Sequence, residues 1–438
     1  MKKWGNQIVS EKSYKNKILE ASLMLNEAQR PIQILDAIKW GDDIGNFFLK
    51  TKMKEIPKVN KDFYLARPLK YDPFKKVEEF EEIQSFVEKE IGLNDDLGKI
   101  LIRNCQEYVK VIYMLMSRGT PDFYYYSKEL YGSSNETLGD NKTKLFELSN
   151  HLSKIIEGLS DQVIGTTFAK NLTSDDVVHE LKKRLKPYFA DDKIKIKISD
   201  GIISDASAGS DYIKIKKGVM FSIRDVHIFE VHEGQVHLGT TINGENQDFA
   251  KWLSKGPPCS TVTQEGLAVL MELFNFALYP RRAQRLNDRL IACKMAEDGA
   301  NVLEVMEYFR LQGQEELDCI KNAGRVFRGA DLYGGYPFTK DISYLKGLVE
   351  IYNFLRNCIQ FGTPDMIPFL FAGKVTLNDV PVLYHYHQEG IINFPKYLPP
   401  QIKDLNGIST WIAFSNFFDK MTLETIEHQH QKIKKKAA

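Results

Sequence analysis

Val231-His-Glu-Gly-Gln-Val-His237 gathers residue types that can bind a metal ion and move a proton. Catalytic zinc takes imidazole and carboxylate ligands in a tetrahedron and keeps one position open for water. In the familiar HExxH helix the two histidines lie four residues apart and share a face. Here His232 and His237 lie five apart. At about 100° per residue, a regular α-helix would point them about 140° away from each other, too far to share an ion. They can meet only if the helix accepts one extra residue, as in a π-bulge, a distortion that tends to occur at functional sites. Gly234 lies inside the interval and, being costly within a regular helix, favours such a distortion. The plain alternative is a helix with two partly exposed histidines.

A third ligand comes from Gln264-Glu-Gly-Leu-Ala268, which places Glu265 near the start of the next long helix. A carboxylate from a following helix completes a two-histidine helix into a three-ligand site with one open position. The competing account is an acidic residue favoured by the helix dipole alone. His227 would close the open position if it were a fourth ligand, and is expected in an outer shell or in solvent. His385 and His387 are expected to be structural, and His428 and His430 belong to the tail. There is no GxSxG elbow, no phosphate loop around Ala372–Thr376 and no GxGxxG after a strand, so serine hydrolysis and nucleotide use find no support.

The elements that must position these residues are mostly helical. Helical periodicity runs through Ser13–Gln29, Ile32–Leu49, Val77–Ile91, Leu97–Met116 and Lys144–Leu159. Tyr131–Asp140, rich in Gly, Ser and Asn, reads as an exposed loop. Strict alternation in Lys193–Ile198 and near-alternation in Tyr212–Lys216 read as half-buried strands, with Ser204–Ser210 a turn or loop between them. Ser222–Gly239 reads as the motif helix and Thr263–Leu278 as the next, after a Gly256-Pro-Pro258 break. More helices follow over Arg282–Glu297, Val302–Gln312, Glu315–Ala323, Ser343–Cys358 and Asn378–Gln388. The order predicts a predominantly α-helical α+β protein with a small sheet, divided into an N-terminal helical region (1–165) and a catalytic domain (166–438).

Bulk properties exclude several function classes. Net charge is +1 over 438 residues, so no domain-wide basic field points to nucleic acid. The one basic run, Lys432–Lys436, reads as a solvated terminus. Apolar stretches such as Val111–Met116 and Ile367–Ala372 are far short of a membrane span. Five scattered cysteines without a CxxC pair fit neither a disulfide framework nor a thiolate zinc site. With no secretory signal at the start, a cytoplasmic setting is expected and the sequons at Asn135, Asn141 and Asn171 are idle. The oligomeric state is not legible.

Taken together, His232–His237, Glu265–Ala268, Arg325-Val-Phe-Arg-Gly329 and Phe338-Thr-Lys-Asp-Ile-Ser-Tyr-Leu345 follow in one order over roughly 190–390. In this the chain resembles the QEGLA-motif proteins, known in bacteria as flavohaemoglobin expression-modulating proteins. The animal relatives of that family are the microtubule-associated tyrosine carboxypeptidases, which remove the terminal tyrosine of α-tubulin. The resemblance implies a zincin-like fold of the gluzincin type, with zinc held by His232, His237 and Glu265 and with Glu233 as general base. It implies a zinc metallopeptidase that removes a C-terminal residue, aromatic and possibly tyrosine, from a peptide or protein. Carboxylate recognition falls to Arg325, Arg328 and Lys340 in the matching segments, and oxyanion stabilisation to Tyr344, with Asp341 a helix N-cap. A cleft is expected between sheet and motif helix, with strand Tyr212–Lys216 a possible edge for an extended peptide.

One departure stands out. The tubulin-cleaving relatives carry an acidic residue where this chain has Gln264, beside a ligand, which puts a shared substrate in doubt. Two other readings use the same residues: a non-catalytic regulatory or binding protein, and a zinc amidase acting on a non-protein amide. An intact Glu233 argues against the first, because a structural zinc site has no use for that carboxylate.

Overall fold

The computed structural model describes residues 11–159, 169–190, 194–202 and 204–418, with the backbone of residues 3–4 and 7–8 as a two-residue antiparallel pair. The expected boundary at 165/166, the basic run and His428 and His430 lie outside the described residues. The architecture is α+β and mostly helical, as the periodicity predicts. Among the described residues no helix is long and apolar enough to cross a membrane.

Three N-terminal helices, α1 (Glu11–Gln29), α2 (Pro73–Glu90) and α3 (Asp96–Met116), form a packing layer. Asp72 and Asp95 cap α2 and α3 by accepting from backbone N–H groups of the first turn, and Pro73 supplies a pre-set first residue. The apolar stripe of α1 (Ile18, Ala21, Leu25) joins Phe80 of α2 and Leu101 of α3 in the largest core, which also takes in Val231 and Val236 of the motif segment. Full burial of each such Leu or Ile stabilises by about 2 kcal/mol. Hydrogen bonds reinforce the contact: Ser22 donates to the Phe249 carbonyl at 2.9 Å and Asn26 to that of Lys251 at 2.8 Å.

Helix α4 (Ser174–Leu185) precedes a sheet of β1 (Lys195–Ser199), β2 (Ala206–Ala208) and β3 (Tyr212–Lys216), in the order β1-β3-β2. β3 pairs parallel with β1 and antiparallel with β2. Its Ile213 and Ile215 face the core fully buried. Two expectations change here. Tyr212–Lys216 is the central strand, so it cannot be the open edge, and the small residues expected as a turn form β2, which is an edge. Ala and Ser carry little strand signal by themselves, and β2 exists because β3 offers it a partner.

The expected loop at Tyr131–Asp140 also differs, because its first four residues are buried. Glu297 holds them, accepting from the Ser133 hydroxyl at 2.8 Å, from the Ser134 backbone N–H at 3.0 Å and from the Ser134 hydroxyl.

Among the helices that follow, those that frame the site are α5 (Ile223–Phe229), α6 (Cys259–Phe274), α7 (Pro280–Glu297), α8 (Glu316–Phe327) and α9 (Ser343–Gln360). α6 and α9 cross where two glycines meet. A Cβ on Gly266 would lie 2.1 Å from the Gly347 carbonyl carbon, and one on Gly347 would lie 2.0 Å from the Val262 carbonyl oxygen. Only residues without side chains allow the two backbones this close. Glu265, next to Gly266, takes its depth from that contact.

Gly347→Ala is therefore expected to cost about 3 kcal/mol or more, the upper end for overpacking, since backbone atoms cannot rotate aside. Chemical denaturation measures it. A loss below about 1 kcal/mol would mean that the two helices separate easily and that the crossing does not set Glu265.

Candidate functional site

Helix α5 begins with a capping box, in which Ser222 and Asp225 each accept from the other's backbone N–H. From Glu230 to Leu238 the chain continues as a π-helix, then returns to α-helix over Gly239–Glu245. The expected distortion is present and extends over the whole motif. A π-helical turn bonds each N–H to the carbonyl five residues back, so side chains five apart come to one side. The imidazole rings of His232 and His237 face each other at 4.7 Å between centroids with planes 85° apart.

Gly234 has a packing reason as well as a conformational one. A Cβ there would lie 2.6 Å from a methyl of Leu185, which packs from α4 onto the widened turn. The far end is tied down too. The His237 carbonyl accepts from the Lys374 ammonium at 2.8 Å and from the Thr241 hydroxyl at 2.9 Å. Beyond it, the Asn243 amide donates to the Phe371 and Tyr397 carbonyls, each at 2.8 Å.

Glu265 lies in the second turn of α6, which starts at Cys259, so it is not a first-turn residue answering the helix dipole. Its two oxygens have different surroundings. Oε1 accepts from the Lys340 ammonium at 3.0 Å. Oε2 is buried without a hydrogen-bond partner and stands 3.6 Å from Nε2 of both His232 and His237. Those distances are too long for hydrogen bonds. Among the described residues, His232, His237 and Glu265 are the cluster whose ligand atoms could hold a metal ion, all within 4.8 Å of one another. Two imidazole nitrogens and one unpaired carboxylate oxygen suit a zinc-like cation, and that orphaned oxygen is what such an ion would satisfy.

The outer partners set the imidazole. His232 Nδ1 lies 2.7 Å from Glu272 Oε1, and Glu272 is fully buried. As a carboxylate it accepts the Nδ1 proton, which leaves the Nε2 lone pair for the ligand position. Arg282 donates to both Glu272 oxygens, at 3.2 and 2.9 Å. Burial opposes charge on Glu272, but Arg282 and His232 outweigh it and hold its pKa down to about 2. Burial likewise opposes charge on His232, yet Glu265 and Glu272 push its pKa up to about 10, so Nε2 holds a proton until a cation takes its place. The carboxylates call for a positive charge at this point.

Glu233 stands beside the cluster, partly open to a cleft of about 290 Å³ that His232, Arg282, Arg289, Arg325 and Tyr344 also line. Its Oε2 accepts the Ala208 backbone N–H of edge strand β2 at 2.8 Å. The sheet thus fixes one oxygen of the carboxylate.

The cations expected to recognise a carboxylate do not converge. Lys340 is on Glu265. Arg325 makes a two-point pair with Asp341 at 2.5 and 2.8 Å, though it also lines the cleft. Arg328 is buried against the Phe338 ring, its Nε without a partner, and lines a different pocket with Trp40 and Leu49. Asp341 does not cap α9; it lies buried in the 3₁₀ turn Thr339–Ile342, where Arg325 occupies it. Tyr344 is nearly buried at the cleft wall, with Lys340 5.8 Å from its ring centroid.

His227 takes no part in the ligand cluster. His387 is structural, its Nδ1 2.8 Å from the Ile392 carbonyl.

Three functional neighbours escaped the sequence reading: Glu272, Arg282 and Lys374. Glu272 was within reach, because it lies two helical turns after Glu265 on the same face. Lys374 gave no signal. It donates to Gln264 Oε1 at 3.0 Å, and burial pulls its pKa down to about 7.

A family model described as microtubule-associated tyrosine carboxypeptidase matches residues 46–420. No curated protein matches. Among solved structures, a chain described as a lipoprotein from Colwellia psychrerythraea is similar at 14% identity and a TM-score of 0.43. The similarity covers 87% of this chain and 77% of that one. A likeness that weak assigns nothing to this chain.

Removing charge from Glu272 leaves Arg282 buried and unpaired. Glu272→Gln is expected to lower stability by about 3 kcal/mol at pH 7. Because the folded pKa is depressed from its ordinary 4.5 to about 2, this contribution is present above pH 4.5 and disappears as pH falls toward 2. Denaturation midpoints of the two proteins should therefore approach each other on acidification. A gap that stays constant down to pH 2 would contradict the assignment.

Proposed function

The chain belongs to the microtubule-associated tyrosine carboxypeptidase family, and on that premise we propose that it is a zinc-dependent carboxypeptidase acting on the C-terminus of a peptide or protein. The observation that carries this reading is the unpaired Glu265 oxygen between the two imidazole nitrogens. His232, His237 and Glu265 would hold the ion. The gluzincin type of zincin fold is part of the proposal, supported by a motif helix that lies against an edge strand.

Zinc in this position supplies polarisation of the scissile carbonyl and acidification of the attacking water. The protein supplies the rest. Glu233, held at Oε2 by the Ala208 N–H, keeps Oε1 for the water and takes its proton as the C–O bond forms. The same carboxyl group then delivers that proton to the leaving amine as the C–N bond breaks. The Tyr344 hydroxyl, at the cleft wall, is placed to stabilise the developing oxyanion. Lys340 neutralises Glu265 from behind and holds its second oxygen toward the imidazoles. Preference for an aromatic residue, tyrosine among them, follows the family name and belongs to the proposal.

Glu233→Gln is expected to bind zinc as the wild type does while losing at least about 100-fold in peptide turnover. His237→Ala is expected to lose zinc uptake itself. Metal content after dialysis and turnover on a panel of peptides and simple amides read both. Turnover of amides alone would identify an amidase, and zinc uptake without turnover of any substrate would leave a binding protein.

A further inference from the structure

A cation enclosed by protein without a counter-charge is costly, so its presence points to an anion from outside. Helix α7 presents Arg282, Arg285 and Arg289 to the cleft, spaced three and four residues apart on one helical face. Arg282 is occupied by Glu272. Arg285 is exposed and donates to the Tyr279 hydroxyl at 3.0 Å. Across the cleft, Arg325 is occupied by Asp341.

Arg289 is different. It is only partly exposed, and no hydrogen bond or ion pair to a described residue satisfies its guanidinium. Its contact is the Tyr344 ring, 5.4 Å from the guanidinium carbon. Tyr344 in turn faces Lys340, which pairs with Glu265, so Arg289 is two side chains removed from a ligand of the proposed metal site. Around it, Arg325 and Arg282 add like charge and Asp341 is the carboxylate that opposes them; burial and Arg325 pull its pKa down to about 10. Arg328, also unpaired at Nε, is sealed from this cleft, whereas Arg289 opens onto it.

We propose that Arg289 is the receptor for the substrate's terminal α-carboxylate, binding it through the two-point geometry of guanidinium and carboxylate while the Tyr344 ring holds the guanidinium in place. The site then reads a free chain end, because an internal peptide has no charge to give Arg289. This rests on the carboxypeptidase reading above.

The test uses the zinc-loaded full chain and two peptides of one sequence ending in tyrosine, one with a free carboxylate and one with a carboxamide. Wild type is expected to favour the free acid by about 10- to 100-fold in kcat/KM. In Arg289→Gln that ratio should fall toward one, chiefly through a higher KM for the acid, and Arg289→Lys should restore part of it. Thermal melting and zinc content identify a variant that fails to fold, in which case Arg289→Lys carries the comparison. A folded Arg289→Gln that keeps the full ratio, or that loses equally on both peptides, overturns the proposal. Calorimetric binding of the two peptides to Glu233→Gln separates the two readings. If wild type cleaves neither peptide but the acid binds more tightly and Arg289→Gln abolishes the difference, the peptidase reading fails and the carboxylate receptor stands. Equal binding of acid and amide overturns the receptor.

Discussion

Two imidazoles five residues apart can face one point only where a helix gives up its ordinary pitch. The segment Glu230–Leu238 does so along its whole length, and much of its surroundings serves to hold it there. Leu185 fills the space that Gly234 leaves open, and Lys374 and Thr241 satisfy the His237 carbonyl. Regular helix on either side limits the distortion to the residues that need it.

Around this turn the charges are sorted into pairs. Glu265 has Lys340, Glu272 has Arg282, and Asp341 has Arg325. Buried pairs of this kind add little net stability compared with apolar packing, but each fixes a carboxylate in one orientation. The result at Glu265 is a division of labour between its oxygens, one bound to the ammonium and one left for the site. At His232 the result is a defined tautomer.

The motif residues were legible because their spacing conflicts with a regular helix, and a conflict of that kind is information. Helix positions were legible from apolar periodicity, with ends shifted where a proline or a cap decides, as at Pro73 and Pro280. Strand β2 was not, because Ala206-Ser207-Ala208 becomes a strand only through its neighbour. Nor could the sequence show which cations are already paired: Arg325, Arg328 and Lys340 have the right charge, but their partners are set by packing between segments far apart in the chain. Arg289 lay in a predicted helix with nothing to mark it until the carboxylates around it were seen to be taken.

The widened turn also bears on how such a motif can change over generations. Deleting one residue between His232 and His237 would produce the commoner spacing, and a turn that relaxed to α-helix would leave the residues beyond it on their present faces, because the π-helical turn is what absorbs the extra residue. Thr240 and Asn243 would then still reach Gln264 and the Phe371 and Tyr397 carbonyls that they now bind. The two spacings are therefore neighbours, one residue apart within a single turn. What is particular to the longer one is the widened turn itself, against which Leu185 packs at Gly234.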